Sequence, residues 1–537
     1  MESFRIMPIL GLKTNVPEND ISLFKPLGEG IAATYCVDGI NFSMTRNLNS
    51  TSKSMGFSQW SNTATADALN CLGLFELYDA GNRSFWIMTG DNSSKGRIFR
   101  YDSSRDPERI SDVDGHSGAT EFAFHHTDLY SCIQYGSNII MSDFGEHTPY
   151  FADYNDTALT KLLSSGTEFK ARYLELFQRR IILAYTDQTN GDIEIRWSES
   201  LPTPGSMSIS AGNQLFKPDD NSITGIKRFG QNACFLYGED SIDSIDYYPN
   251  YLTPFAIRNM VANNGAVNHH GIINTGDTHY FLNKNYGFVD YRGGTQFPAS
   301  GKPISYDIED IVSNINPNYY GHIVGTFIRN KNTLVWAVPL KGVSRPTHLL
   351  YYYIPEGKWF IEDLQVRFLN NWTSTDSLTW NDLIGRGFTY WDDFGTSSFT
   401  DFVTTRQNLM FSNTDGHVYF KGGESNNGSD FNGYRIEPVM NFSGDGGYCM
   451  LNEIWFNLVE HGDFDLYCNY RGGDTVQECI GSVWETLDSV SSNDPQNAVI
   501  YTNKNNRWHQ IKWGTLKKNE RFGVSAIEFK YVPQGKY

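Results

Sequence analysis

Two pairs of adjacent histidines, His125-His126 and His269-His270, are the residues of this chain best suited by type to hold a metal ion or move a proton. Neighbours along a strand point to opposite faces, so neither pair chelates one ion, and both pairs read as ordinary surface or loop residues. The stretch SDVDGHSG over 111–118 places Asp112 and Asp114 ahead of Gly115, as a calcium loop begins. It lacks the third acidic position and the closing glutamate that complete such a loop. A Gly-rich phosphate loop, an HExxH zinc motif and a GxSxG nucleophile turn are all missing from the sequence. The 61 Asp and Glu residues leave room for a carboxylate pair of the glycosidase kind, whose members come from distant segments and leave no local spacing. The expected site assignment is therefore empty. No catalytic, cofactor-binding or metal-ligating residue is assigned, no cofactor is expected, and the chain is expected not to be an enzyme.

The seven cysteines, at 36, 71, 132, 234, 449, 468 and 479, form no CxxC pair and read as reduced, mostly buried small apolar residues. Net charge is −18, which repels a nucleic-acid backbone if spread evenly. It is not even. From Tyr501 to Tyr537 eight Lys or Arg stand against Glu520 and Glu528, about +6 net, which leaves about −24 on the rest. The plain reading is a solvated basic face on a terminal domain; a basic edge that meets an acidic neighbouring subunit is the sharper one. No apolar run approaches the ~18 residues that cross a bilayer, so no membrane-spanning segment is expected. The opening MESFRIMPILGLKTN lacks the basic lead of a signal peptide, so the chain is expected to be made and kept in a cytoplasm.

What would position any site is a repeated grammar of short strands. Runs that end in an aromatic and a turn signal recur as GRIFRYD, HTPYFAD, DIEIRWS, SIDSIDYY, YGFVDYRG, HLLYYYIP and GHVYFKG. Their markers, Tyr101, Tyr150, Trp197, Tyr247, Tyr291, Tyr352 and Tyr419, are 44 to 67 residues apart. A four-stranded propeller blade takes ~40–50 residues, and a lone blade cannot bury both faces of its sheet. The spacing predicts an all-β chain: a roughly seven-bladed β-propeller followed by a small C-terminal β-sandwich. One large sandwich is the competing fold. SNTDGHVYF over 412–420 resembles the turn of sialidase-like propellers through Ser412, Asp415 and Gly416, but the other blades do not repeat it. It reads as a turn between two strands.

The expected boundaries follow from composition. Residues 1–68 form an N-terminal strand-containing segment that caps the propeller or closes its ring, 69–422 the propeller, 423–433 a linker in GGESNNGSDFNG, and 434–537 the sandwich. SYDIEDIVSNINPN, with Ile308, Ile311 and Val312 at helical spacing, predicts a short surface helix. The stretch 368–402, rich in Trp, Phe, Asp and Ser, predicts a long inserted loop with an aromatic contact surface.

FKARYLELFQRRIILAYTDQTNGDIEIRWSES over 169–200 resembles the phage tail nozzle family, also called packaged-DNA stabilisation proteins, the β-propeller tail proteins of short-tailed phages. The likeness lies in Ala171-Arg172-Tyr173, Phe177 with Arg179 or Arg180, and Arg196-Trp197-Ser198. SITGIKRFGQNACFLYGEDSIDSIDYY, GIINTGDTHYFLNKNYGFVDYRGG, NTLVWAVPL with LLYYYIPEGKWFIED, and IEFKYVPQGKY are similar to that family's successive blades and tail end. Residues 1–56 and the 368–402 insertion fall outside the likeness. The resemblance implies a structural virion protein, assembled in the host cytoplasm, that forms a homo-hexameric ring. That ring would extend the portal and adaptor channel, retain packaged DNA, conduct it during ejection without sequence-specific binding, and meet a distal plug, needle or fibre protein. An acidic channel wall would suit that role, because it keeps the DNA backbone moving. On the residues alone, Arg172, Arg179 and Arg180 would pair with carboxylates at blade or subunit borders, and Trp197 would pack between blades. The alternative is a glycan-binding or glycan-degrading propeller acting on host surface polysaccharide.

Overall fold

The computed structural model describes residues 2–45, 50–65, 70–79, 82–90, 96–101, 105–112, 128–143, 147–163, 169–210, 212–249, 251, 253–376, 404–423, 425–443, 446–460, 464–491, 493, 498–520 and 522–535. Strands dominate because the sequence alternates. In Ala171–Phe177 and Arg180–Thr186, apolar side chains fill the faces that meet neighbouring sheets, and a two-residue turn at Gln178-Arg179 reverses the chain.

Seven small sheets, antiparallel except where Ser111–Asp112 joins the second in parallel, follow one another between Asn70 and Lys421. Their innermost strands are Asn70–Asp79, Ser131–Tyr135, Ala171–Phe177, Ile223–Phe229, Ile273–Asn274, Val324–Ile328 and Phe368–Asp376. Each touches the next in chain order, and the seventh touches the first, so the ring closes. This is a seven-bladed β-propeller. All seven aromatic markers fall on the third strand of their blades, from Tyr101 on Gly96–Tyr101 to Tyr419 on Val418–Lys421. Separate apolar clusters fill the spaces between blades one and two, two and three, three and four, and four and five. Trp197, fully buried on blade three, meets Phe255 of blade four edge-on at 5.2 Å between ring centres.

The N-terminal segment is divided between the two domains. Phe57–Gln59 pairs antiparallel with Val418–Lys421 and supplies the outer strand of blade seven. Glu2–Met7 pairs with the final strand Gly523–Gly535 and, in parallel, with Ile31–Thr34, so the two chain ends share one sheet. That eight-stranded sheet faces a five-stranded one containing Asp38–Ile40, and the apolar layer between them includes Leu451, Ile454, Ile511, Trp513 and Phe529. The C-terminal β-sandwich is thus built from both ends of the sequence.

Three local expectations meet the structure. A helix, Glu309–Ser313, forms in the first insertion, with Ile308 buried and Ile311 and Val312 packed against the central core. In the second, Phe368–Asp376 pairs along its whole length with Thr404–Ser412, so this stretch begins as a hairpin of blade seven; residues 377–403 lie outside the described residues. The polar stretch after Gly422 is hydrogen-bonded to the closing strand, through Phe57 N to Ser425 O at 2.9 Å and Asn427 N to Phe57 O at 2.8 Å.

Candidate functional site

Ligand sites of propellers gather about the central axis, where the innermost strands converge. On one side of this axis sits a polar cluster drawn from several blades. Tyr173 of blade three stacks on His269 at 4.9 Å between ring centres, in the turn that enters blade five. His270 packs edge-on against Phe368 of blade seven at 5.7 Å. Both histidines are charge-starved: burial drives His269 well below its ordinary range and His270 down to about 3. Of the expected surface or loop placement the loop holds and the surface does not for His269, because the converging inner strands cover the entry turn of blade five and leave His269 buried and His270 half-buried. His125-His126 lies outside the described residues.

The cluster includes two charged side chains that no motif marked. Ile226 N–H lies 3.3 Å from His269 Nδ1, and Lys227 Nζ lies 3.3 Å from His269 Nε2. A neutral imidazole has one N–H, so with Nδ1 accepting, the ring proton sits on Nε2 and Lys227 receives it only as a neutral amine. Burial lowers the Lys227 pKa in that direction, and Glu175 opposes it. Glu175 Oε2 accepts from Arg228 N at 3.2 Å. Lys227 stands on the inner strand Ile223–Phe229 of blade four, so its contact with His269 joins that blade to the turn that enters blade five. The available signal was a polar residue interrupting an apolar inner strand, as in IKRF and LELF.

On the entry side a small cavity of about 20 Å³ lies between Leu129, His322, Arg345 and Arg367. Elsewhere the axis widens into a cavity of about 350 Å³, lined by Glu76, Asn274, Thr326, Arg329 and Asn371 from blades one, five, six and seven. The propeller axis therefore holds a polar cavity between the inner strands of blades one, five, six and seven. A third cavity of about 420 Å³ lies to the side, where blades six and seven meet the N-terminal hairpin, and Lys53, Lys331 and Lys421 border it. In its wall Glu362 Oε2 accepts from Tyr351 Oη at 2.9 Å and from Lys421 Nζ at 2.8 Å. The axial and lateral linings carry one carboxylate each, Glu76 and Glu362.

The remaining sequence candidates resolve into structure. Asp415 caps its turn by accepting from His417 N at 3.0 Å and from the Tyr419 hydroxyl. All seven cysteines are free thiols, and six are buried. Asp112 sits on a short strand, and 113–118 lies outside the described residues. Two of the eight basic side chains of the C-terminal stretch form ion pairs within the chain, Lys504 with Glu485 at 2.5 Å and Lys530 with Glu453 at 3.0 Å. Arg196 pairs with Glu194 at 3.0 Å, whereas Arg172 lies over the Tyr185 ring and Arg180 donates to Ser198 O at 2.8 Å. No group of three His, Cys, Asp or Glu side chains able to hold a metal occurs among the described residues, and none of their helices is long and apolar enough to cross a membrane.

Fold and site together define a seven-bladed propeller with a polar axial cavity, joined to a two-sheet sandwich. Neither a family model nor a curated protein matches the sequence. Among solved structures, the chain is similar to an exo-β-1,3-galactanase from Phanerochaete chrysosporium in complex with β-1,3-galactotriose, at 10% identity and a TM-score of 0.26, covering 89% of this chain and 100% of that one. The same enzyme with galactose gives 11% identity and a TM-score of 0.25, with the same coverage. These neighbours are enzymes, against the sequence expectation of a chain with no activity, and that expectation is withdrawn. TM-scores this low assign no activity of their own.

Proposed function

We propose that this chain is a wall component of a short-tailed phage tail, in which six copies form a nozzle ring that continues the portal and adaptor channel. The ring retains packaged DNA and conducts it at ejection, and its far end meets a plug, needle or fibre protein. The observation that carries this reading is the placement of the nozzle-like strings. They fall in order on blades three, four, five and six and on the last strand of the sandwich. Strand exchange between the chain ends adds rigidity, because opening the propeller requires breaking the ladder between Phe57–Gln59 and Val418–Lys421. Particle imaging with mass measurement, alone and with portal-complex proteins, tests the reading.

A second reading, a propeller that binds or degrades host surface polysaccharide, is favoured by the axial cavity. Its Glu76, Asn274, Thr326 and Asn371 offer donors and acceptors suited to sugar hydroxyls. Release of sugars from a host polysaccharide, lost on Glu76→Gln, would select it.

A further inference from the structure

A cavity of about 450 Å³ opens where the inner hairpins of blades two, three and four turn, lined by Tyr135, Leu176, Gln178, Arg179, Leu201, Arg228 and their neighbours. Two exposed cations, Arg179 and Arg228, border it, and neither guanidinium makes an ion pair with a described residue; the nearby Glu175 carboxylate is engaged by the backbone N–H groups of Leu176 and Arg228.

Hydrogen bonds fix the backbone from which both side chains project. Arg228 N donates to Glu175 Oε2 at 3.2 Å, while Arg228 O accepts from His279 Nε2 at 3.0 Å and from the Asn274 amide. Arg179 is fixed by Leu201 N, which donates to Arg179 O at 2.9 Å. Gln178, Arg179 and Leu201 have φ of 50°, 58° and 54°, a left-handed region that side-chain-bearing residues enter at a cost. A two-residue turn of this kind favours Asn and Gly, yet Gln and Arg stand here. Strained backbone, unpaired guanidiniums and a cavity coincide at one place.

We infer that this cavity binds an acidic saccharide, with Arg179 and Arg228 holding its carboxylate. A guanidinium fork matches the two oxygens of a carboxylate. Tyr135 and the free carbonyl oxygen of the Gln178 side chain, whose amide already donates to Gln231 O at 3.1 Å, face the hydroxyls; Leu176 and Leu201 cover the apolar side of a sugar ring. The volume suits one or two rings. A polyphosphate is the poorer fit, because the lining offers two cations and no further basic track along which a backbone could run. This inference deepens the glycan-binding reading and rests on it.

Calorimetric titration of the full chain tests it with four probes: a glucuronic-acid-containing disaccharide, the matching neutral disaccharide, inorganic phosphate and a single-stranded DNA oligonucleotide. The acidic disaccharide is expected to bind at least about tenfold more tightly than the neutral one, and Arg228→Gln or Arg179→Asn to weaken it by about tenfold or more. Asn accepts the left-handed backbone at 179, so that loss cannot be assigned to misfolding. Equal binding of both disaccharides, unaffected by the variants, overturns the inference and leaves the glycan reading standing. Failure of both sugars overturns the two together. Binding of phosphate or DNA that the same variants abolish overturns the saccharide assignment.

Discussion

Arg435 and Glu437 stand two residues apart and form an ion pair, Nε to Oε1 at 2.6 Å, from which water is excluded. The arms of the pair reach three other parts of the chain, at Leu10, Thr34 and Trp513. Arg435 Nη1 donates to Leu10 O at 2.9 Å and Nη2 to Thr34 O at 2.7 Å, while Glu437 accepts from Thr34 Oγ1 at 2.7 Å and Trp513 Nε1 at 3.0 Å. The pair thus joins the N-terminal strands to the sandwich across more than four hundred residues of sequence. Removing one partner leaves a buried charge uncompensated, so Glu437→Gln or Arg435→Met should cost about 3–5 kcal/mol in denaturant unfolding. The double change Arg435→Met with Glu437→Leu should recover part of that loss.

The junction between domains depends on a glycine. A Cβ on Gly11 would lie 2.6 Å from Trp359 O, beside the Leu12 N to Trp359 O bond of 2.8 Å that ties the N-terminal segment to blade six. Gly11→Val should cost about 1–3 kcal/mol. The expected sign is a single unfolding transition that splits in two, as propeller and sandwich lose their coupling.

Trp197 fills the space between blades three and four. Trp197→Ala should destabilise the fold by about 3–5 kcal/mol, whereas Trp197→Phe should cost less because the ring contact with Phe255 survives. Thermal unfolding of both variants checks the order.

Two buried histidines predict an acid limit. His279 accepts from Tyr237 Oη at 2.5 Å and donates to Arg228 O at 3.0 Å; His509 contacts Tyr470 Oη at 2.9 Å and donates to Asn506 O at 3.0 Å. Burial pushes both down to about 4, against an ordinary value of 6.5 in the unfolded chain. The unfolded state binds protons first, so stability is full above pH 6.5 and falls as pH drops towards 4. The slope is up to about 1.4 kcal/mol per pH unit for each histidine. His509→Asn should flatten the slope of stability against pH in that window, even where it lowers stability at pH 7.

Blade number was legible because one aromatic per unit sits on the third strand, where it must fill the space between sheets. The sharing of the sandwich by both chain ends was not. Nothing local in SFRIM announces that it pairs with IEFKY, and only the assembled sheet brings them together. The His269-His270 pair was misplaced for a similar reason: NHHG reads as a polar turn, and its burial comes from the converging blades. Lys227 and Glu175 left only a weak trace in the sequence, as charges in otherwise apolar inner strands. Arg179, named in the sequence as a border residue, sits on a turn with positive φ where blades two, three and four meet, and among the described residues it forms no ion pair.

Native mass measurement with electron imaging of the purified chain, alone and with its portal-complex proteins, bears most directly on the proposed role. The account expects a closed ring of six copies around a channel wide enough for duplex DNA, with a net acidic wall. A chain that stays monomeric under both conditions, or a ring whose lumen carries a continuous belt of Lys and Arg, would contradict it.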